Sequence, residues 1–149
     1  FLEINLIIEF FQLIIIINKH LMINEYTKND TSTILHIIND ASLRYKGIIP
    51  DDCWHEPYMS ERELVDEFKN GVRMYGYHLN SKLIGVIGAQ EVKDVVLIRH
   101  AYTLTFHQGK GTGSALLKYL LKKWTVSSTT IPNVIAPTTA IAIPTSPTK

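Results

Sequence analysis

Cysteine is almost absent from this chain: Cys53 stands alone among 149 residues, so no internal disulfide can form. Cys53 is expected as a small buried hydrophobe rather than a reactive thiol. None of the six histidines falls at a ligand spacing such as H-E-x-x-H, so no metal site is expected, and His55 and His107 should lie at the surface or in a pocket. Excess charge of either sign is also missing. A net charge of +1 gives no electrostatic case for nucleic acid. Long apolar runs are missing too. The strongest, Leu6 to Ile17, is interrupted by Glu9 and Gln12 and falls short of the about 20 residues that a bilayer requires. The segment Phe1 to Leu21 lacks a basic n-region and a small-residue cleavage site, so it is a poor signal peptide. A cytoplasmic location without a membrane partner is the expectation. There is no internal repeat, and the length allows one domain with a real core.

Both ends differ from the middle. Residues 1–21 are rich in isoleucine and phenylalanine, and Met22 opens a strand-like Met22-Ile23-Asn24-Glu25-Tyr26. The expectation is a natural start at Met22, with residues 1–21 an apolar extension of upstream or artefactual origin. The competing reading is an apolar helix packed on the domain or on a membrane surface. After Trp124 the composition turns to Thr, Ser, Pro, Ile and Ala, and four X-Pro pairs between Ile131 and Pro147 break any helix. A frameshift or truncation near Lys123 is expected, or else a disordered tail over residues 125–149.

Between the ends, element signals are clear. Ile34, Ile37, Ile38 and Ala41 recur at helical spacing behind Asp30 as N-cap, and the helix ends near Gly47. Ser60-Glu61-Arg62-Glu63 is a capping box opening a helix with Leu64, Val65 and Phe68 on one face. Strands are expected over Val72–His78, Leu83–Val92 and Val95–Leu104, joined by tight turns and therefore antiparallel neighbours. Leu83–Val92 is apolar enough to be buried on both faces. A last helix from Ser114 carries Leu116, Leu117, Leu120 and Leu121 as one stripe. The order β-α-α-β-β-β-α, with helices on both faces of a mixed, mainly antiparallel sheet, defines an α/β (α+β) fold. No further strand is expected, which would leave the last strand with an open edge.

The densest signal lies where that last strand gives way to the last helix: Gln108-Gly109-Lys110-Gly111-Thr112-Gly113. A helix start offers free backbone N–H groups and the positive end of the dipole, and glycines let a backbone approach an anion closely. The stretch is suited to a pyrophosphate. It is not a Walker loop, which needs Gly-x-x-x-x-Gly-Lys followed by Ser or Thr. It also lacks the spacing and βαβ context of a dinucleotide fingerprint.

Read as Gln-x-x-Gly-x-Gly, after the run Ile98 to His107 and before Ala115-Leu116-Leu117, the stretch resembles the cofactor loop of the GCN5-related N-acetyltransferase superfamily. The resemblance covers about residues 22–124. Many members have proline where this chain has Thr105. It implies an acetyl-CoA-dependent N-acetyltransferase fold, incomplete at the C-terminus, with direct transfer of an acetyl group to a primary amine of a small molecule or peptide. A homodimer stays open. Gln108, Gly109, Lys110, Gly111, Thr112, Gly113 and Ser114 would hold the diphosphate of acetyl-CoA as co-substrate. Ala101, Tyr102 and Thr103 would pair with pantetheine as an added strand, and one backbone N–H there would face the thioester carbonyl.

The position of the acid that some members use as base is Leu97 here, so Glu91 is the remaining carboxylate candidate. By strand alternation Arg99 would share a face with Leu97 and Ala101 and could bind the acceptor, while His100 would point the other way, under a helix. Trp54 and Tyr58, in the aromatic and acidic loop between the first two helices, either bind the acceptor or close the core. The alternative function is a non-catalytic acyl-CoA-binding module or an inactive truncated copy of such an enzyme.

Overall fold

The computed structural model of the chain describes residues 1–127 and 133–135. In chain order it contains α1 (Leu2–Leu21), β1 (Ile23–Tyr26), α2 (Thr31–Ser42), α3 (Glu61–Lys69), β2 (Arg73–Leu79), β3 (Lys82–Val92), β4 (Val95–Thr103), α4 (Thr112–Ser127) and β5 (Asn133–Ile135). One sheet runs β1-β2-β3-β4-β5. Its first four strands pair antiparallel, and β5 joins β4 in parallel.

Local chemistry explains the hairpins. Asn80 and Ser81 both take left-handed φ angles, 49° and 63°, which match the twist of β2 and β3. Lys93, at φ 57°, does the same between β3 and β4. Leu83 to Ala89 are buried without interruption because β3 is central and both its faces are covered. Ile34, Ile37 and Ile38 of α2 and Leu64 of α3 pack on one face, against Met74, Ile84 and Val86. Leu116, Leu120 and Trp124 of α4 pack on the other, against Tyr75, Ile87, Ala89, Val96 and Ile98.

Five expectations change. The sheet has a further strand: β5 pairs residues 133–135 with Val95–Leu97. It covers one end of the β4 edge that was expected to be open; the remainder of residues 128–149 lies outside the described residues. The leucine stripe of α4 is divided. Leu116, Leu120 and Trp124 recur every four residues and point inward, whereas Leu117 and Leu121, a helical step away, are half-exposed. Asp30 does not cap α2 with its side chain. It instead accepts from the N–H of Thr27 at 2.9 Å, closing a capping box around the short turn before the helix. Cys53 is exposed, because its one-turn helix Asp51–Cys53 lies on a surface loop without apolar cover. Residues 1–16 of α1 and its lead-in are exposed throughout, so they do not pack on the domain. Among the described residues no helix is long and apolar enough to cross a membrane.

The Ser60 capping box forms as expected. The Glu63 N–H donates to Ser60 Oγ at 3.3 Å, and the Ser60 N–H donates to Glu63 Oε2 at 2.7 Å. That backbone donor, then the Ser60 hydroxyl, holds the Glu63 carboxyl below the usual carboxylate range. Its contribution is therefore present above the unfolded-state pKa and is lost as pH falls through the lower folded-state value. Glu63→Ala should cost about 0.5–1 kcal/mol at pH 7 in urea unfolding. The gap to wild type should close as the pH falls below the ordinary carboxylate range; a gap that persists at acid pH would sink this account of the cap.

Candidate active site

The chain leaves β4 at Thr103, makes a single turn over Thr105–His107, and enters α4 at Thr112. Gly109 and Gly111 take φ angles of +73° and +87°, in the region that favours glycine. The Gly111 carbonyl accepts the first helical bond, from the Ala115 N–H at 2.9 Å. Gly111 is thus the N-cap, and the N–H groups of Thr112, Gly113 and Ser114 stand before the helical ladder begins. Their donors and the helix dipole favour an anion at this point.

The helix start is seated on the sheet through Gly85 of β3. A Cβ at that position would lie 2.7 Å from Thr112 Cγ2, and Thr112 is buried. From the other side the end of α2 clamps the loop. The Thr105 N–H donates to Asp40 Oδ2 at 2.8 Å. Gln108 donates through Nε2 to the Thr103 carbonyl at 3.0 Å and accepts through Oε1 from the Arg44 guanidinium. The structure thus joins Gln108 to Thr103 and brings Arg44, Asp40 and Gly85 to the loop. Lys110 is exposed beside them.

The second feature is the edge of β4. Its pairing with β5 ends at Leu97, and no described residue pairs with β4 on that side beyond it. There the strand is also irregular. Val86 lies opposite Tyr102 and Gly88 opposite Arg99, so His100 and Ala101 together face Ile87. This is a β-bulge, with His100 at φ 51°. The bulge overturns the expected alternation. Arg99 and His100 both reach one carboxylate oxygen, Oε2 of Glu67 on α3, at 3.7 Å and 3.0 Å. Ala101 is exposed and no longer shares a face with Arg99. The Arg99 guanidinium expected to meet an acceptor is therefore already paired.

The third feature is a cavity of about 470 Å³ between α2 and the loop that follows it, with His36, Asp40, Trp54, Glu56 and Tyr58 in its wall. Tyr58 is the centre of an aromatic group: its ring lies 5.6 Å from Trp54, 6.2 Å from Tyr45 and 6.4 Å from Tyr102. Trp54 and Tyr58 are half-buried, and Tyr58 also packs on the core. Burial, followed by the neighbouring Tyr58, raises the Tyr102 phenol far above its ordinary range, so it remains an O–H. Glu56 is held below the carboxylate range by the hydrogen bond from Lys46, at 2.5 Å.

Glu91 is not brought to this group. It lies at the far end of β3 from Gly85, about 20 Å of extended strand away. Its Oε1 accepts the Trp124 indole N–H at 2.9 Å. Sequence reasoning passed over Glu67, Arg44 and Asp40 because each meets its partner across a long sequence separation; the surplus residue at His100–Ala101 had no local signal.

A sequence model of the Acetyltransferase (GNAT) family matches residues 34–128, more than half of the chain, and the chain belongs to this family. Its members use acetyl-CoA as acyl donor. Solved structures with the same fold include the PaiA N-acetyltransferase from Thermoplasma acidophilum in complex with coenzyme A, at 20% identity and TM-score 0.58, covering 70% of this chain and 73% of that one. Another is an aminoglycoside acetyltransferase from an uncultured soil metagenomic sample in complex with sisomicin, at 14% identity and TM-score 0.59, covering 77% and 75%. A third is the ribosomal-protein-alanine N-acetyltransferase from Brucella melitensis, at 18% identity and TM-score 0.57, covering 79% and 81%. A search of curated proteins gave no match.

Gly85→Val tests the seating of α4. The added atoms should lift the helix start, cost about 1–3 kcal/mol in urea unfolding, and weaken coenzyme A binding about tenfold by calorimetry, equivalent to about 1.4 kcal/mol. Unchanged stability and affinity together would show that the contact with Thr112 does not hold the loop.

Proposed function

We propose that this chain is an acetyl-CoA-dependent N-acetyltransferase that acetylates a primary amine. The observation that carries the reading is the coincidence of two unfilled backbone sites. Free helix-start amides stand at Thr112–Ser114, and a strand edge without a described partner continues from them along β4. Coenzyme A fits both. Its diphosphate suits Gly109 to Ser114, with Lys110 adding charge, and its pantetheine amides suit the backbone of Ala101, Tyr102 and Thr103. Gln108 shapes the loop between the two sites rather than facing solvent freely. Bound acetyl-CoA supplies the activated acyl group.

This chain's residues then have three tasks: hold the donor, orient the acceptor and accept a proton from it. Trp54 and Tyr58 supply aromatic walls for an acceptor amine, and the cavity they line borders the aromatic group that includes Tyr102. Aromatic faces with Asp40 and Glu56 nearby suit a cationic amine. The names of similar structures point to amine acceptors of two kinds, an aminoglycoside and a ribosomal-protein alanine. We assign the catalytic domain to residues 22–124, with residues 1–21 as an apolar extension and 125–149 as a tail.

A second reading, an acyl-CoA-binding module without turnover, is favoured by one observation: Leu97 stands where some relatives place an acid, and Glu91 is engaged with Trp124. Acetyl-CoA should raise the melting temperature under both readings. Release of free thiol with a panel of amines should occur only under the first. Gly111→Val, which forces a β-branched residue to φ +87°, should abolish the thermal shift. A shift of wild-type size in that variant would remove the loop from the binding site.

A further inference from the structure

We propose that His100 is the proton acceptor for the amine and that Glu67 is the positioning residue that holds its imidazole; this rests on the acetyltransferase reading above. Three observations carry it. His100 lies in the bulge of β4, beyond the last residue paired with β5 and next to the Ala101–Thr103 stretch assigned to the donor. It is held at φ 51°, a conformation that costs a non-glycine residue energy, and such strain gathers where a side chain must be re-aimed. Its side chain is oriented, with Nε2 at 3.0 Å from Glu67 Oε2.

A carboxylate acceptor fixes the tautomer. Nε2 carries the hydrogen and donates it to Glu67, which leaves the Nδ1 lone pair free. Nδ1 makes no hydrogen bond among the described residues, and it is not one of the buried unpartnered atoms. In the neutral ring one nitrogen is thus engaged and the other available. The His100 side chain is 15% exposed and Glu67 23%, so the pair is shielded but reachable. Arg99, at 3.7 Å, is the other charged group on this carboxylate. Tyr102, two residues on from His100, meets Tyr58 of the cavity wall.

The step is a proton transfer. One N–H bond of the acceptor ammonium breaks, its electron pair stays on the amine nitrogen, and an N–H bond forms at His100 Nδ1. The amine becomes neutral and the imidazole becomes an imidazolium, whose charge faces the Glu67 carboxylate. The proton then passes to solvent. Placing the acid on α3 rather than on β4 explains how Leu97 can occupy the strand position without removing the base.

The test uses the full chain. His100→Gly removes the ring at a φ angle that glycine accepts, so folding should be retained, and the acetyl-CoA thermal shift should match wild type. Amine-dependent thiol release should fall about 100-fold, and added imidazole should restore a substantial part of it. Glu67→Gln should lower kcat with little change in the KM for acetyl-CoA. In free protein, nitrogen NMR of the His100 ring should show the Nε2–H tautomer in wild type and a mixture in Glu67→Gln. Wild-type turnover in His100→Gly, or a loss that imidazole does not restore although acetyl-CoA still binds, would overturn the proposal. If wild type itself shows no thermal shift and no thiol release, the acetyltransferase reading falls and this proposal with it.

Discussion

The contact between Gly85 and Thr112 governs the site. A strand residue without a side chain lets the first turn of α4 sit directly on the sheet, and that seating fixes where the free amides of the loop are presented. The opposite end of the same helix is tied down as well, by the Trp124 indole on Glu91. Between those points Leu116 and Leu120 are fully buried against Tyr75 and Ile87. The helix is thus a rigid mount, and its dipole axis has a defined origin relative to the β4 edge.

The two faces of the sheet have separate work. On the α4 side the core is apolar and aromatic, with Tyr75 set edge-on to Trp124 at 5.9 Å. On the α2 and α3 side the isoleucines of α2 form a similar floor, but the layer above it is polar near the site. Asp40 of α2 and Arg44, two residues beyond that helix, reach the loop, and Glu67 reaches the bulge from α3. Ionic and hydrogen-bonding groups gather beside the stretch of β4 that follows its pairing with residues 133–135. Beyond Leu97 no described residue pairs with that edge of β4, and its backbone donors and acceptors need partners. Coenzyme A, with amides spaced along an extended arm, is chemically a strand and suits that need.

Much of the fold could be read from local patterns. The capping box at Ser60, the isoleucine periodicity of α2 and the unbroken apolar run of β3 each use only neighbouring residues, so their elements were legible. The glycine loop was legible for the same reason: a strand, a glycine cluster and a leucine helix stand in succession. Errors arose where a choice depended on distant contacts. Asp30 is the local exception, closing the Thr27 turn three residues back instead of capping α2. Leu117 and Leu121 looked equivalent to Leu116 and Leu120 until the sheet supplied a single direction inward. Asn133–Ile135 carries little strand signal of its own, and pairs because the β4 edge is offered to it.

By itself, the sequence determined the kind and order of the elements between Met22 and Trp124 and the glycine-rich turn from Gln108 to Ser114 that opens α4, because propensity, capping and glycine conformation are properties of short segments. Tertiary structure decided which charged side chains stand beside that loop, which way β4 turns its side chains at His100, and that residues 133–135 pair with β4. Those outcomes follow from one surplus residue in a strand pair and from contacts between segments far apart in the chain. No local pattern encodes either.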